Sequence, residues 1–289
     1  QVLETWQEDW RKLGSPQVIM ACPSCREIFK EHLPEVEQVF LWDVLQETCA
    51  NLNQQNTGLF AIHDPCAARD DADAQKVVRR FLAGMGADID ELRLSGEFTE
   101  CCGYGGLMYN ANPELAGETV ARRGRQNPRD YITYCAVCRD RLAASGKRAA
   151  HALDLLFPVA EHHDPAARPS PGWSQRRENR ARLKAGLLRE LWNEEAPEME
   201  SQRELNLIIA PGVWEVLEQR RILTEDLQKV ISHAEQSGNK LTHPGTGHFL
   251  ASFRPYKAVF WVEYSPTPDG YEVHNAYSHR MEVKKGARP

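Results

Sequence analysis

The sequence predicts an α/β protein. It reads as a duplicated strand–cysteine–helix unit, its first copy incomplete, with small parallel or mixed sheets flanked by helices. A small α+β domain follows. Three observations predict this: an internal repeat, short apolar strands that each run into a cysteine and then a helix, and a change of character after residue 158.

The repeat aligns Ile19-Met20-Ala21-Cys22-Pro23-Ser24-Cys25-Arg26 with Ile132-Thr133-Tyr134-Cys135-Ala136-Val137-Cys138-Arg139, at an offset of 113 residues. Trp42-Asp43-Val44-Leu45 then aligns with Leu153-Asp154-Leu155-Leu156, at an offset of 111. Shifting the remaining motifs back by that offset carries them before residue 1. The expectation is therefore that residues 1–48 are the closing part of a first copy and residues 49–158 a complete second copy.

The elements follow in order. Val18–Ala21 is a short apolar strand entering Cys22, and Pro23 suits the first position of a helix. Leu59–Ile62 enters His63-Asp64-Pro65-Cys66; Asp64 reads as a cap, and Cys66 falls in the first helical turn, where free backbone N–H groups favour a thiolate. Asp71–Gly84 carries Val77, Val78, Phe81 and Leu82 at helical spacing. After Cys101-Cys102 come Gly103-Tyr104-Gly105-Gly106, glycines that let backbone N–H groups approach sulfur. Pro113–Arg125 reads as a helix with Leu115, Thr119 and Val120 inward. Tyr131–Tyr134 is a strand entering Cys135. Such units imply a sheet whose cysteines gather beyond the carboxyl ends of its strands.

Five of the eight cysteines form the pattern C-x34-C-C-G-x31-C-x-x-C. Adjacent residues point their side chains apart, so Cys101-Cys102 suits a larger object than one small ion. Thiolates from several loop ends are how proteins hold iron–sulfur clusters. The chain has no export signal or apolar run of membrane-span length, so its cysteines are expected reduced in the cytoplasm, as metal ligands rather than disulfides. A net charge of −6 argues against a nucleic-acid partner. The start at Gln1 suggests processing or a cut chain.

These residues resemble the cysteine-rich "CCG" domain. It occurs twice in the B and D subunits of heterodisulfide reductases, and in iron–sulfur subunits of glycolate oxidase, anaerobic glycerol-3-phosphate dehydrogenase and lactate-utilisation enzymes. The resemblance implies a non-cubane [4Fe–4S] cluster on Cys66, Cys101, Cys102, Cys135 and Cys138, with Gly103 beside it. It implies an oxidoreductase component that receives electrons from a flavin- or ferredoxin-type subunit and passes them to a small-molecule disulfide or thiol substrate. Cys22 and Cys25 match only the closing pair of a first motif and are a partial second site, for a second cluster or zinc. Residues before Gln1, or another polypeptide, would complete it. An iron–sulfur relay subunit of a flavin-dependent 2-hydroxy-acid or glycerol-3-phosphate dehydrogenase is the alternative. Membrane association would come through a partner. The rival for the five cysteines is structural zinc on four of them, in a zinc-stabilised adaptor without redox activity. His63 is a candidate for bonding a cluster sulfur or substrate, or for a structural role in the Asp64 turn. Cys49 reads as a buried thiol outside both motifs.

Residues 159–204 read as a proline-rich linker, with His162 and His163, and a charged helix near Ser174–Glu195 bearing Leu183, Leu187, Leu188 and Leu191 on one face. Residues 205–289 read as the separate domain, expected to dock a partner or protect the cluster domain. It has helices over Pro211–Gln219 and Thr224–Ser237, the second capped by Thr224 and closed by Gly238. Strands follow over His248–Phe253, Ala258–Tyr264 and Tyr271–Tyr277, with Pro266–Gly270 as a hairpin loop. His243, His248, His274 and His279 lie among them without a metal-ligand spacing.

Overall fold

The computed structural model describes residues 2–48, 58–157, 164–194, 205–255 and 257–281. Cys49, His162 and His163 lie outside the described residues. The chain divides into two compact units, Gln1–Ser170 and Pro171–Pro289.

The first unit opens with α1 (Val2–Lys12), whose Trp6 meets Phe29 edge-on at 4.6 Å. Then come β1 (Val18–Met20), α2 (Pro23–His32), β2 (Gln38–Phe40) and α3 (Leu41–Thr48). The second run is β3 (Gly58–His63), α4 (Ala72–Gly84), β4 (Ala87–Glu91), α5 (Met108–Ala111), α6 (Pro113–Gly124), β5 (Tyr131–Thr133), α7 (Ala136–Ala144), β6 (Ala149–His151) and α8 (Leu153–Leu156). Two parallel sheets result: β1-β2, and a four-stranded sheet in the order β4-β3-β5-β6.

The two runs share a plan at the level of register. Val18 pairs with Gln38, and Tyr131, the repeat equivalent of Val18, pairs with Ala149. In both, the strand ends in a cysteine of extended conformation that precedes a helix: Cys22 before α2 and Cys135 before α7. The same backbone bond starts each helix, Arg26 N–H to the Cys22 carbonyl and Arg139 N–H to the Cys135 carbonyl, both 3.0 Å.

One core joins the runs. Phe40, Trp42 and Leu45 of the first bury against Phe60, Ile62, Val77, Val78, Phe81, Leu82, Ile132 and Tyr134 of the second. Trp42 is wholly buried, its ring 5.1 Å from that of Phe81 and 6.5 Å from that of Tyr134. Fully burying one large apolar side chain contributes about 1.5–3 kcal/mol, so this contact fastens the short sheet to the long one.

Some expected details differ. Asp64 caps no helix: Cys66–Ala68 is a single 3-10 turn without a side-chain cap, and the following helix begins at Ala72, capped by Asp71, whose Oδ1 accepts from Ala74 N–H at 3.0 Å. Leu115 is exposed; Val120 turns inward as expected, with Ala116 and Arg123 buried on the same helix. Strand β4, sequence Ala-Asp-Ile-Asp-Glu, is too polar to announce itself; as an edge strand it shows its carboxylates to solvent. After the unit's last helix, a 3-10 turn at Pro165–Ala167 leads to Arg168 and Pro169, whose carbonyls accept from the buried Arg139 guanidinium.

The second unit holds α9 (Trp173–Leu191), β7 (Leu207–Ile209), α10 (Pro211–Arg220), α11 (Thr224–Ser237), β8 (Lys240–Thr242), β9 (Phe249–Phe253), β10 (Val259–Thr267) and β11 (Gly270–His279). Its mixed sheet runs β7-β11-β10-β9-β8, with β7 parallel to β11 and the rest antiparallel. The core is Leu217, Leu227, Val230 and Ile231 from the helices against Ala251, Val262, Tyr264 and Val273 from the sheet. Asp226, not Thr224, caps α11: its carboxylate accepts from Leu223 N–H at 3.0 Å. The hairpin loop shrinks to Pro268 and Asp269, because β10 and β11 pair as far as Thr267 and Gly270. The histidines are engaged locally. His248 and His274 stack at 3.7 Å and bond Glu263 and Ser265, while His279 accepts from Trp261.

Candidate metal centre

Strand order fixes where the first unit can hold a ligand. From β3 the chain crosses to β4 on one side, and β5 lies on the other. A crevice therefore opens beyond the carboxyl ends of β3 and β5, the usual place for a site in such a sheet. Cys66 follows β3, Cys101-Cys102 follows β4, and Cys135 and Cys138 follow β5.

Asp64 sets the frame. It is completely buried, and its carboxylate accepts from Arg79 Nη1 and Nη2 at 3.0 and 2.8 Å, from Gly96 N–H at 2.9 Å and from the Tyr134 hydroxyl at 2.9 Å. Burial pushes this carboxyl up, but Arg79, Gly96 and Tyr134 together hold it below its ordinary value. Three chain segments thus meet on the residue two before Cys66, and Tyr134 is the neighbour of Cys135. The backbone carbonyl of Asp64 also accepts from Thr99 Oγ1 at 2.8 Å, and Arg69 donates to the Thr99 carbonyl at 2.9 Å, which positions the turn into Cys101-Cys102.

The structure brings all five expected ligands together. Hydrogen-bond contacts between sulfurs run from Cys66 to Cys101, Cys101 to Cys102, Cys102 to Cys138 and Cys138 to Cys135. Cys101 is surrounded by donors: the thiols of Cys102 and Cys66, then the N–H groups of Gly105 and Gly103, the last at 3.3 Å. They pull its thiol far down, while Cys66 rises because Cys101 accepts its proton and burial disfavours charge. Cys102 is pushed up to about 12, chiefly by its bond to Cys101. Cys135 falls to about 7 because the Cys138 thiol donates to it, burial opposing, with the N–H groups of Cys138 and Val137 adding at the helix start. Packed this way, Cys66, Cys102 and Cys138 hold their protons by donating to Cys101 and Cys135, whose thiols fall. A cation with several binding positions relieves them all.

The glycines let the loop pack closely, Gly103 against α6 and Gly105 beside the sulfurs. Gly103 has φ +82°, and a Cβ there would stand 2.5 Å from the Ala116 carbonyl oxygen. A Cβ on Gly105 would lie 3.6 Å from Cys101 Sγ and 3.7 Å from Cys66 Sγ, on the face where a metal group would sit. Sulfur count, glycine clearance and backbone donors all suit an iron–sulfur centre.

Cys22 and Cys25 adjoin the same centre: they contact each other, and Cys135 is close enough to raise Cys25 by charge, after burial and Cys22. All seven described cysteines are free thiols. Beside Cys66 a cleft of about 320 Å³ opens against α2, lined by Pro23, Arg26, Lys30, Phe40 and Asp71. Arg26 and Lys30 both reach Asp71, at 2.7 and 3.0 Å.

His63 is fully buried, and its ring lies with Cys102 and Cys138, the three ligand atoms within 4.8 Å of one another. Its Nδ1 accepts from Arg123 Nε at 3.0 Å, and burial, then the Arg123 charge, lower its pKa to about 3. Sequence reasoning missed Arg123, Arg79, Thr99 and Tyr134. A signal for Arg123 existed: it continues the inward Ala116–Val120 face of α6, where a solvated basic residue has no reason to be.

No protein-family model and no solved structure matches the chain. A curated protein does: the D subunit of dihydromethanophenazine:CoB–CoM heterodisulfide reductase from Methanosarcina barkeri (strain Fusaro / DSM 804) is 27% identical over 152 residues. The match takes in 47% of this chain and 37% of that protein, so the chain spans little more than a third of its relative's length. Over about half its length, then, the chain is a distant relative of a heterodisulfide reductase component.

Proposed function

We propose that the first unit holds an iron–sulfur cluster, of the non-cubane [4Fe–4S] kind, on Cys66, Cys101, Cys102, Cys135 and Cys138, in a heterodisulfide-reductase-like oxidoreductase. Residues 1–48 and 49–158 then belong to two copies of one cysteine-rich domain, the first contributing the closing pair Cys22 and Cys25. The observation that carries this reading is the unbroken run of four contacts linking five sulfurs across three loops. Tetrahedral zinc would use four of the five.

The bound cluster would supply one-electron storage. The protein's own contributions are local. Asp64 and Tyr134 register the β3 and β5 loops, the Gly103 and Gly105 N–H groups bond sulfur, and the α3 core closes one side against water. The cleft at Cys66 would admit a small disulfide, with Arg26 and Lys30 toward any anionic group on it. The reaction takes one disulfide, two electrons and two protons to two thiols. The electrons come from a flavin- or ferredoxin-type partner subunit in the cytoplasm. No helix among the described residues is long and apolar enough to cross a membrane.

A reduced viologen dye tests this reading. Cluster-loaded protein is expected to oxidise the dye when a small disulfide is added, and Cys66→Ser to abolish the reaction. Dye oxidation that ignores the disulfide, with the cluster present, would favour the relay subunit of a flavin-dependent dehydrogenase. The absence of iron would leave the zinc-stabilised adaptor.

A further inference from the structure

His63 offers one nitrogen to Arg123 and the other to sulfur, and the first contact determines the second. A guanidinium carries only donors. Arg123 Nε–H points at His63 Nδ1 from 3.0 Å, so Nδ1 presents its lone pair there. A neutral imidazole holds one proton, which must then sit on Nε2. That Nε2 is buried without a hydrogen-bond partner of any kind, and the Cys102 and Cys138 sulfurs lie within 4.8 Å of a ring nitrogen of His63. A buried N–H left unsatisfied is costly, and sulfur carrying the negative charge of a bound metal group is the acceptor at hand.

We infer that His63 is not a ligand of the metal centre but an N–H···S donor to the Cys102–Cys138 side of it, its tautomer fixed by Arg123. A metal ligand needs a free lone pair, and the protonated Nε2 has none. This rests on the reading that Cys102 and Cys138 bind the metal group. Arg123 is compatible with it. It is wholly buried, yet its partners are all uncharged: His63, the Leu94 carbonyl at 2.8 Å, the Gln126 amide oxygen at 2.6 Å and the Thr99 hydroxyl at 3.4 Å. Burial lowers its pKa, and Glu100 and Asp64 attract it from beyond hydrogen-bond range ahead of Cys138, so metal-bound thiolates would strengthen a field already there. As positioning residues, His63 and Arg123 would both draw charge from sulfur, favouring the reduced centre and raising its potential.

The test labels histidine with 15N in the full chain carrying whichever metal it holds. With iron, pulsed EPR of the reduced centre is expected to show only the weak nitrogen coupling of a hydrogen bond. With zinc, NMR is expected to show His63 protonated at Nε2 and unligated. Coupling of ligand strength, or a metal-bound Nε2, overturns the inference in either case. The choice between iron and zinc is read separately, so failure of the cluster reading is distinguishable from failure of this one. In the iron protein, His63→Leu is expected to move the potential negative and His63→Gln, which restores an N–H, to recover most of it. An unchanged potential in His63→Leu would contradict the inference. Should that variant not load, the labelled wild-type protein decides.

Discussion

Asp64 binds four partners while fully buried, so it is the residue through which the centre is most easily disturbed. Its Arg79 partner is still a quarter exposed. Breaking a buried pair from one side typically costs about 3–5 kcal/mol, and Arg79→Leu is expected near the lower figure, read by urea denaturation. Tyr134→Phe removes one bond to a charged acceptor and is expected to cost roughly 1.5–3 kcal/mol. If Arg79→Leu were neutral, the carboxylate would not be the frame of the site. The motif His63-Asp64-Pro65-Cys66 was legible as a strand-to-ligand turn, and Cys66 lies where that turn puts it. The role of Asp64 was not. A carboxylate before proline looks like a helix cap, and nothing local reveals that its partners stand 15, 32 and 70 residues away.

At the scale of elements, the glycine loop after Cys101-Cys102 separates two costs. Gly103→Ala meets both positive φ and a backbone oxygen at 2.5 Å, and Gly106→Ala meets positive φ (+62°) with nothing within 4 Å. Backbone strain alone is worth about 1–3 kcal/mol. Gly106→Ala is therefore expected to lose no more than that and keep its metal, whereas Gly103→Ala loses more and binds metal poorly; metal content and thermal unfolding read both. In the second unit, the cap of α11 carries a pH signature. Burial raises the Asp226 carboxyl above 3.8, outweighing its bond from Leu223 N–H. The folded state then favours the protonated form, so this group's contribution is full below pH 3.8 and is lost as pH rises through the folded pKa. Asp226→Asn keeps a cap acceptor without the charge. It is expected to raise the melting temperature at about pH 7 and to lose that advantage near pH 3; a lower melting temperature at neutral pH would refute the sign. Helices with apolar stripes, such as α4 and α11, were legible from spacing alone. The three-residue strands β2, β6 and β8 were not, because a strand that short carries no period; β1 and β5, equally short, stood out because each runs into a cysteine motif.

For the whole molecule, two cores in one chain make two expectations separable. The first unit carries every described cysteine and its own apolar core, and the second closes its sheet around Leu217, Val230, Ile231 and Val262. Residues 1–170 expressed alone are expected to bind metal like the full chain; failure would mean that the second unit takes part in holding the site. The repeat was readable because it recurs around chemically rare residues, and β1-β2 and β5-β6 pair in equivalent register. The function of the second unit had no such marker, since its histidines turn to ordinary stacking and hydrogen bonding. The central claim is the cluster on five cysteines, and metal and sulfide analysis of anaerobically purified protein beside its Cys101→Ser variant tests it most directly. Brown protein is expected, with iron and acid-labile sulfide in equal amounts and broad visible absorption that the variant loses. Colourless protein with stoichiometric zinc and no iron would contradict it.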